Sequence, residues 1–126
     1  MNTPQKKILI AEDEAPILTV IADNLEASGF SVIKTTNGEE GLLSALHEHP
    51  DLILLDIMMP KMNGLEMLKR LRMNEWGKKV PVIVLTNYGD NEKVAEALGS
   101  DVSEYFVKSD IKIEEVIARV KAKLSV

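Results

Sequence analysis

The sequence predicts an α/β protein built on a five-stranded parallel sheet with helices on both faces. Short apolar runs recur near residues 7–11, 31–35, 51–55, 80–85 and 104–107, and apolar residues at helical spacing fill the stretches between them. Strand and helix signals in strict alternation imply parallel strands joined by crossover helices. The runs at 52–55 and 82–85 lack polar alternation, as interior strands covered on both faces should.

Each element has its own local signal. After the run Ile8–Ala11, Pro16 falls in the first turn of a helix whose face carries Ile17, Leu18, Ile21 and Leu25, and Gly29 stops it. Asn37 caps a second helix carrying Leu42, Leu43 and Leu46. Leu65, Leu68 and Leu71 form a third stripe after Asn63-Gly64. Val94, Ala95 and Leu98 form a shorter fourth after Asp90-Asn91. Ile113, Val116, Ile117, Val120 and Leu124 form a fifth, which ends almost at the last residue. No linker, low-complexity segment or repeat interrupts the pattern, so residues 1–126 are expected to form one domain.

Composition excludes several functions. The net charge of -5 argues against direct binding of nucleic acid or of an anionic membrane surface. Aromatic residues make up only 4%, too few for base-stacking platforms. Without cysteine there is no disulfide, thiolate catalysis or zinc ribbon. No apolar run reaches membrane-spanning length and no secretory leader opens the chain, so a cytoplasmic location is expected.

Charge at the ends of the apolar runs points to chemistry. Glu12 and Asp13 follow the first run, Asp56 ends the third, Thr86 ends the fourth and Lys108 ends the fifth. In open parallel sheets ligands bind beyond the carboxyl ends of the strands, where the strand order reverses. Any one of these residues alone reads as an ordinary helix cap or solvated strand end. Together they describe one polar pocket. Neighbouring carboxylates repel unless a cation intervenes, and an oxygen-only ligand set favours Mg²⁺, with Mn²⁺ as the alternative.

At these residues the chain resembles the receiver domain of two-component response regulators. The resemblance covers nearly the whole sequence and rests on "ILIAEDE", "DLILLDIMMPKMNGLEML", "PVIVLT" and "EYFVK". It implies a flavodoxin-like, doubly wound sheet of order 2-1-3-4-5. It implies that Asp56 is the phospho-acceptor, that Glu12, Asp13, Asp56 and the backbone carbonyl of Met58 hold the metal, and that Thr86 and Lys108 contact the phosphoryl group. Tyr105 matches the aromatic residue that changes rotamer on activation. The partners implied are a sensor histidine kinase or phosphotransfer protein and a downstream effector or output domain. A homodimer through the fourth helix, fifth strand and fifth helix is the further option, and Arg119, Lys121 and Asp101 are expected to give that face charge pairs for a second copy or for a partner.

The residue types suit that chemistry. A carboxylate attacks phosphorus in line, a divalent cation offsets the accumulating negative charge, and a lysine on a flexible stem pairs with acceptor and then phosphoryl group. Pro60 fixes a turn after Asp56, and Gly64 is expected to supply a positive φ at the entry to the third helix. The resemblance also implies that Met58 and Tyr88, two beyond the acceptor and two beyond Thr86, flank the in-line approach of water to an acyl phosphate. Neither orients a water, so they are expected to lengthen its lifetime.

Three positions depart from the family pattern. Ser109 follows Lys108 where the family usually has a cis proline. A non-proline cis bond costs about 2.5–4 kcal/mol, which leaves that loop's geometry open. Asn87 is larger than the family's usual small residue, and Asp101 replaces a glycine at the end of the fourth helix.

Other classes fit less well. A phosphohydrolase of the haloacid dehalogenase type needs a second acid two residues after its nucleophile, and Met58 stands there. A flavodoxin-like redox protein needs a phosphate-cradling loop after the first strand. A degenerate docking receiver would have lost Asp56, Asp13 or Lys108, and all three are present. The sequence therefore reads as a switch rather than an enzyme, with at most self-phosphorylation and self-dephosphorylation.

Overall fold

Five parallel strands form a single sheet in the order β2-β1-β3-β4-β5. They are β1 Lys7–Ala11, β2 Ser31–Thr35, β3 Leu52–Asp56, β4 Val82–Thr86 and β5 Glu104–Val107. Helices α1 Ala15–Ala27, α2 Gly38–Glu48 and α3 Gly64–Arg72 cross between strands, and a C-terminal helix Ile113–Leu124 closes the described chain. The computed structural model describes residues 5–86, 102, 104–110 and 112–126; of Thr86 and Asp110 it describes the backbone alone. The fourth helix expected around Val94, Ala95 and Leu98 lies outside the described residues, as do Asn87, Tyr88 and Asp101.

Alternation of side chains across the pleat builds two cores. Leu9, Ala11, Ile53, Leu55, Val82 and Val84 face α2 and α3. Ile8, Ile10, Leu52, Leu54, Ile83 and Leu85 face α1 and the C-terminal helix. Every residue of β3 is buried, which is why its sequence shows no polar alternation. On α1 the stripe Leu18, Ile21 and Leu25 is buried as its spacing predicts.

Helix α2 differs from its sequence stripe. It approaches the sheet through Gly41 and Ala45, Leu42 and Leu46 are only partly buried, and Leu43 is 64% exposed. Small residues let this helix lie close, so its leucines flank the contact instead of making it. Its N-cap follows the expectation, with Asn37 Oδ1 accepting from Glu40 N at 2.8 Å. Asn63 caps α3 in the same way, accepting from Glu66 N at 2.9 Å.

Gly64 corrects a second expectation. Its φ is not positive; Gly29 is the described glycine that has one, at 99°. Gly64 is required because a Cβ there would stand 2.2 Å from the Asp56 carbonyl oxygen and 2.9 Å from Ile57 Cα. The positive φ in this loop belongs to Lys61, at 66°, inside the turn closed by Met62 N donating to Pro60 O at 2.7 Å. The described chain contains no cis peptide bond, so Lys108 and Ser109 are joined in trans and lead into a short 3₁₀ turn, Lys108–Asp110.

Candidate functional site

Strand register gathers the polar residues. Ala11 pairs with Leu55, Asp56 with Leu85, and Thr86 with Val107. The residues at or just after these pairs therefore share the carboxyl edge of the sheet, around β1 and β3. Those strands are neighbours whose crossovers run to opposite faces, the position where open α/β sheets bind ligands.

Glu12 and Asp56 are fully buried there, while Asp13 is exposed. One oxygen from each of the three carboxylates falls within 4.8 Å of the others. Each buried acid spends one oxygen on the protein and keeps one spare. Glu12 Oε2 accepts from Glu14 N at 3.0 Å and from Lys108 Nζ at 2.9 Å. Asp56 Oδ1 accepts from Met58 N at 3.2 Å. Glu12 Oε1 and Asp56 Oδ2 have no hydrogen bond. Lys108 Nζ lies 3.2 Å from Asp56 Oδ2, an ionic contact without hydrogen-bond geometry.

Two unbonded buried oxygens facing a third carboxylate are costly unless a cation takes them. The electrostatics agree. Burial, then the charge of Glu12, then the Asp13 side chain push the Asp56 carboxyl up from its usual 3.8 to about 8, against the pull of Lys108. Burial draws the Lys108 ammonium down, but hydrogen bonds to Glu14 and Glu12 and the charges of Asp56 and Glu12 outweigh it and hold it above its ordinary range. Among the described residues this is the cluster whose ligand atoms could hold a metal, and hard oxygen donors suit Mg²⁺.

The loop after Asp56 is braced on both sides. Gly64 N donates to Ile57 O at 2.8 Å, and Gly38 N donates to Met62 O at 2.9 Å. A Cβ on Gly38 would meet that same oxygen at 2.0 Å, so α2 begins directly on the loop. Met59 is buried in the core, while the Met58 side chain is 59% exposed. Tyr105, three residues before Lys108 on β5, is 41% exposed.

The structure thus brings Glu12, Asp13, Asp56 and Lys108 together, with the Met58 backbone beside them. Tyr88 and the Thr86 side chain lie outside what is described. Glu14 belongs to the same cluster and was not among the candidates read from sequence. Its Oε2 accepts a hydrogen bond from Lys108 Nζ across 94 positions of sequence. The signal was present as the third acid of Glu12-Asp13-Glu14, but at the start of a helix an acid reads as a favourable dipole partner.

A doubly wound parallel sheet with an acidic cluster and a lysine at its switch point places this chain among α/β proteins whose candidate site lies at the carboxyl edge of the sheet. A family model described as the response regulator receiver domain matches residues 8–121. The chain belongs to that family, the signalling switches of two-component systems. It is 41% identical over 120 residues to the alkaline phosphatase synthesis transcriptional regulatory protein PhoP of Bacillus subtilis (strain 168), covering 94% of this chain and 48% of that one. It is 34% identical over 122 residues to the polar-differentiation response regulator DivK of Brucella ovis, covering 94% and 96%. The chain spans about half the length of the transcriptional regulators it matches. Among solved structures, the receiver domain of a sensor histidine kinase from Pseudomonas aeruginosa PAO1, which holds magnesium in its active-site cleft, superposes with a TM-score of 0.86 at 28% identity, covering 98% of this chain and 100% of that one. A Francisella response regulator receiver domain gives 0.84 at 31%, covering 94% and 95%. No helix among the described residues is long and apolar enough to cross a membrane.

Proposed function

We propose that Asp56 accepts a phosphoryl group from the phosphohistidine of a sensor histidine kinase or phosphotransfer protein, or from a small acyl phosphate, in a magnesium-dependent reaction. The observation that carries this reading is the buried Asp56 carboxylate with an unbonded oxygen, set between two further acids and Lys108. Glu12, Asp13, Asp56 and the Met58 carbonyl would hold the cation; Mn²⁺ would serve in its place. When bound, the ion supplies charge neutralisation for the phosphoryl oxygens.

One Asp56 oxygen forms the bond to phosphorus as the donor's P–N or P–O bond breaks, and the electron pair leaves with the donor. Lys108 pairs with the new phosphoryl oxygens and the Thr86 hydroxyl donates to one of them. Tyr105 then turns inward, and the surface made by the fourth helix, β5 and the C-terminal helix changes for an effector, an output domain or a second copy. Asp56 is converted rather than regenerated within a turnover, so the reaction is self-modification. A hydrolase reading is disfavoured by Met58, which occupies the place of the second acid. Residues 1–126 would act as one receiver unit.

The test is incubation with acetyl phosphate and Mg²⁺, followed by borohydride trapping and mass spectrometry. Label on Asp56 is expected; equal labelling of Asp56→Asn would refute the assignment. Lifetime is the second measurable quantity. Met58→Asn, which places an amide at the exposed mouth of the site, should speed decay of the phosphorylated protein, whereas unchanged decay would remove Met58 from that role.

A further inference from the structure

Lys108 has three N–H donors and three acids within reach, Glu12, Glu14 and Asp56. Two donors go to Glu12 Oε2 and Glu14 Oε2. Asp56 Oδ2, the unbonded oxygen of the proposed acceptor, is 3.2 Å away and receives no hydrogen bond. The hydrogen bonds of the ammonium therefore go to the glutamates, and Asp56 keeps only the ionic contact. Its two hydrogen-bond partners also differ in kind. Glu12 is fully buried, whereas the Glu14 side chain is 53% exposed, so Glu14 holds the buried ammonium from its solvent side.

Glu14 gives up another role to do this. It occupies the N-cap position of α1 with extended backbone, yet its side chain makes no capping hydrogen bond. A carboxylate at that place could bond the free N–H groups of the first turn. Instead it reaches the lysine that follows β5.

We propose that Glu14 is a positioning residue that ties the Lys108 ammonium from the solvent side of the acidic pocket and so slows phosphoryl transfer to Asp56. The inference rests on the reading of Asp56 as acceptor. Glu14 occupies one of the three donors and fixes where the ammonium sits, so an incoming phosphoryl group competes with Glu14 for the lysine, and that competition raises the barrier. Neutralising Glu14 leaves the lysine to Glu12 and Asp56, already inclined toward the reacting oxygen.

Four proteins test this: wild type, Glu14→Gln, Lys108→Ala and the double variant. With acetyl phosphate and Mg²⁺, Glu14→Gln should label roughly two- to fivefold faster than wild type, the scale of one partly exposed ion pair. In the Lys108→Ala background the same change should leave the rate unaltered. Equal acceleration in both backgrounds would mean simple repulsion of the anionic donor and would overturn the proposal. No acceleration in either would also overturn it. Thermal unfolding of the four proteins is a second measure that needs no labelling. The two substitutions should be non-additive if the side chains interact, and additive shifts would contradict the pairing. Asp56→Asn separates the two readings. Undiminished labelling of that variant refutes Asp56 as acceptor, while the unfolding cycle still judges the Glu14–Lys108 pair.

Discussion

Asp56 is a buried carboxyl beside two further acids. Burial and the Glu12 charge raise its carboxyl from 3.8 to about 8 when no cation is bound. Between those values the folded protein keeps a proton that the unfolded chain has released, so metal-free stability falls as pH rises from about 4 through about 8. Asp56→Asn removes that titration. With chelator present the variant should melt above wild type at pH 8, by several degrees if the relief reaches even ~1 kcal/mol, and the gap should shrink toward pH 5. Scanning calorimetry across that range checks it, and a gap independent of pH would show that repulsion at Asp56 is not the cause.

At the scale of elements, the site depends on close backbone approach. Gly64→Ala would drive a Cβ onto the Asp56 carbonyl, and Gly38→Ala would drive one onto Met62 O while disturbing its hydrogen bond from Gly38 N. Both clashes are with backbone, which cannot rotate away. Urea unfolding should show losses of about 2 kcal/mol or more for each, above the ~1 kcal/mol expected at Gly29, where the cost is a positive φ with open space around it. Equal losses at all three positions would count against the clash. Such contacts explain what the sequence could not disclose. Strand and helix positions were legible because burial imposes periods of two and 3.6 along a local stretch. The convergence of Glu12, Asp13, Asp56 and Lys108 was legible because parallel topology puts strand ends together. The need for Gly64 arises from a strand end eight positions away, and the Glu14 contact from a residue 94 positions away. Leu43 matched a helical stripe, yet Gly41 and Ala45 decided which face of α2 approached the sheet.

At the scale of the molecule, the site and the proposed output surface share one strand. Lys108 directly follows β5, and β5 carries Tyr105 and also Glu104, whose Oε1 lies 3.4 Å from Arg119 Nε on the C-terminal helix. A cation at the acids should first stabilise the whole fold by mass action, by about 2.7 kcal/mol at a hundredfold excess over Kd. Melting of wild type should therefore rise with millimolar Mg²⁺ and saturate, with a smaller rise in Asp13→Ala; a curve indifferent to Mg²⁺ would contradict a metal site. Occupying the phosphoryl position adds a different pull. On the proposed reading the ammonium would shift onto the phosphoryl oxygens, and the end of β5, which Lys108 directly follows, would follow it. The exposed Glu104–Arg119 pair contributes only ~0.2–1 kcal/mol, so it is a weak tie that a ligand can outcompete. Population shift then requires only that the ligand bind one arrangement of Tyr105 and β5 better than the other. Adding beryllofluoride and Mg²⁺ should move backbone resonances of β5 and the C-terminal helix as strongly as those of the loops after β1 and β3. Arg119→Ala should leave the melting temperature nearly unchanged while lowering the beryllofluoride concentration needed for those shifts. Changes confined to the loops holding Glu12, Asp13 and Met58 would mean that β5 does not carry the signal.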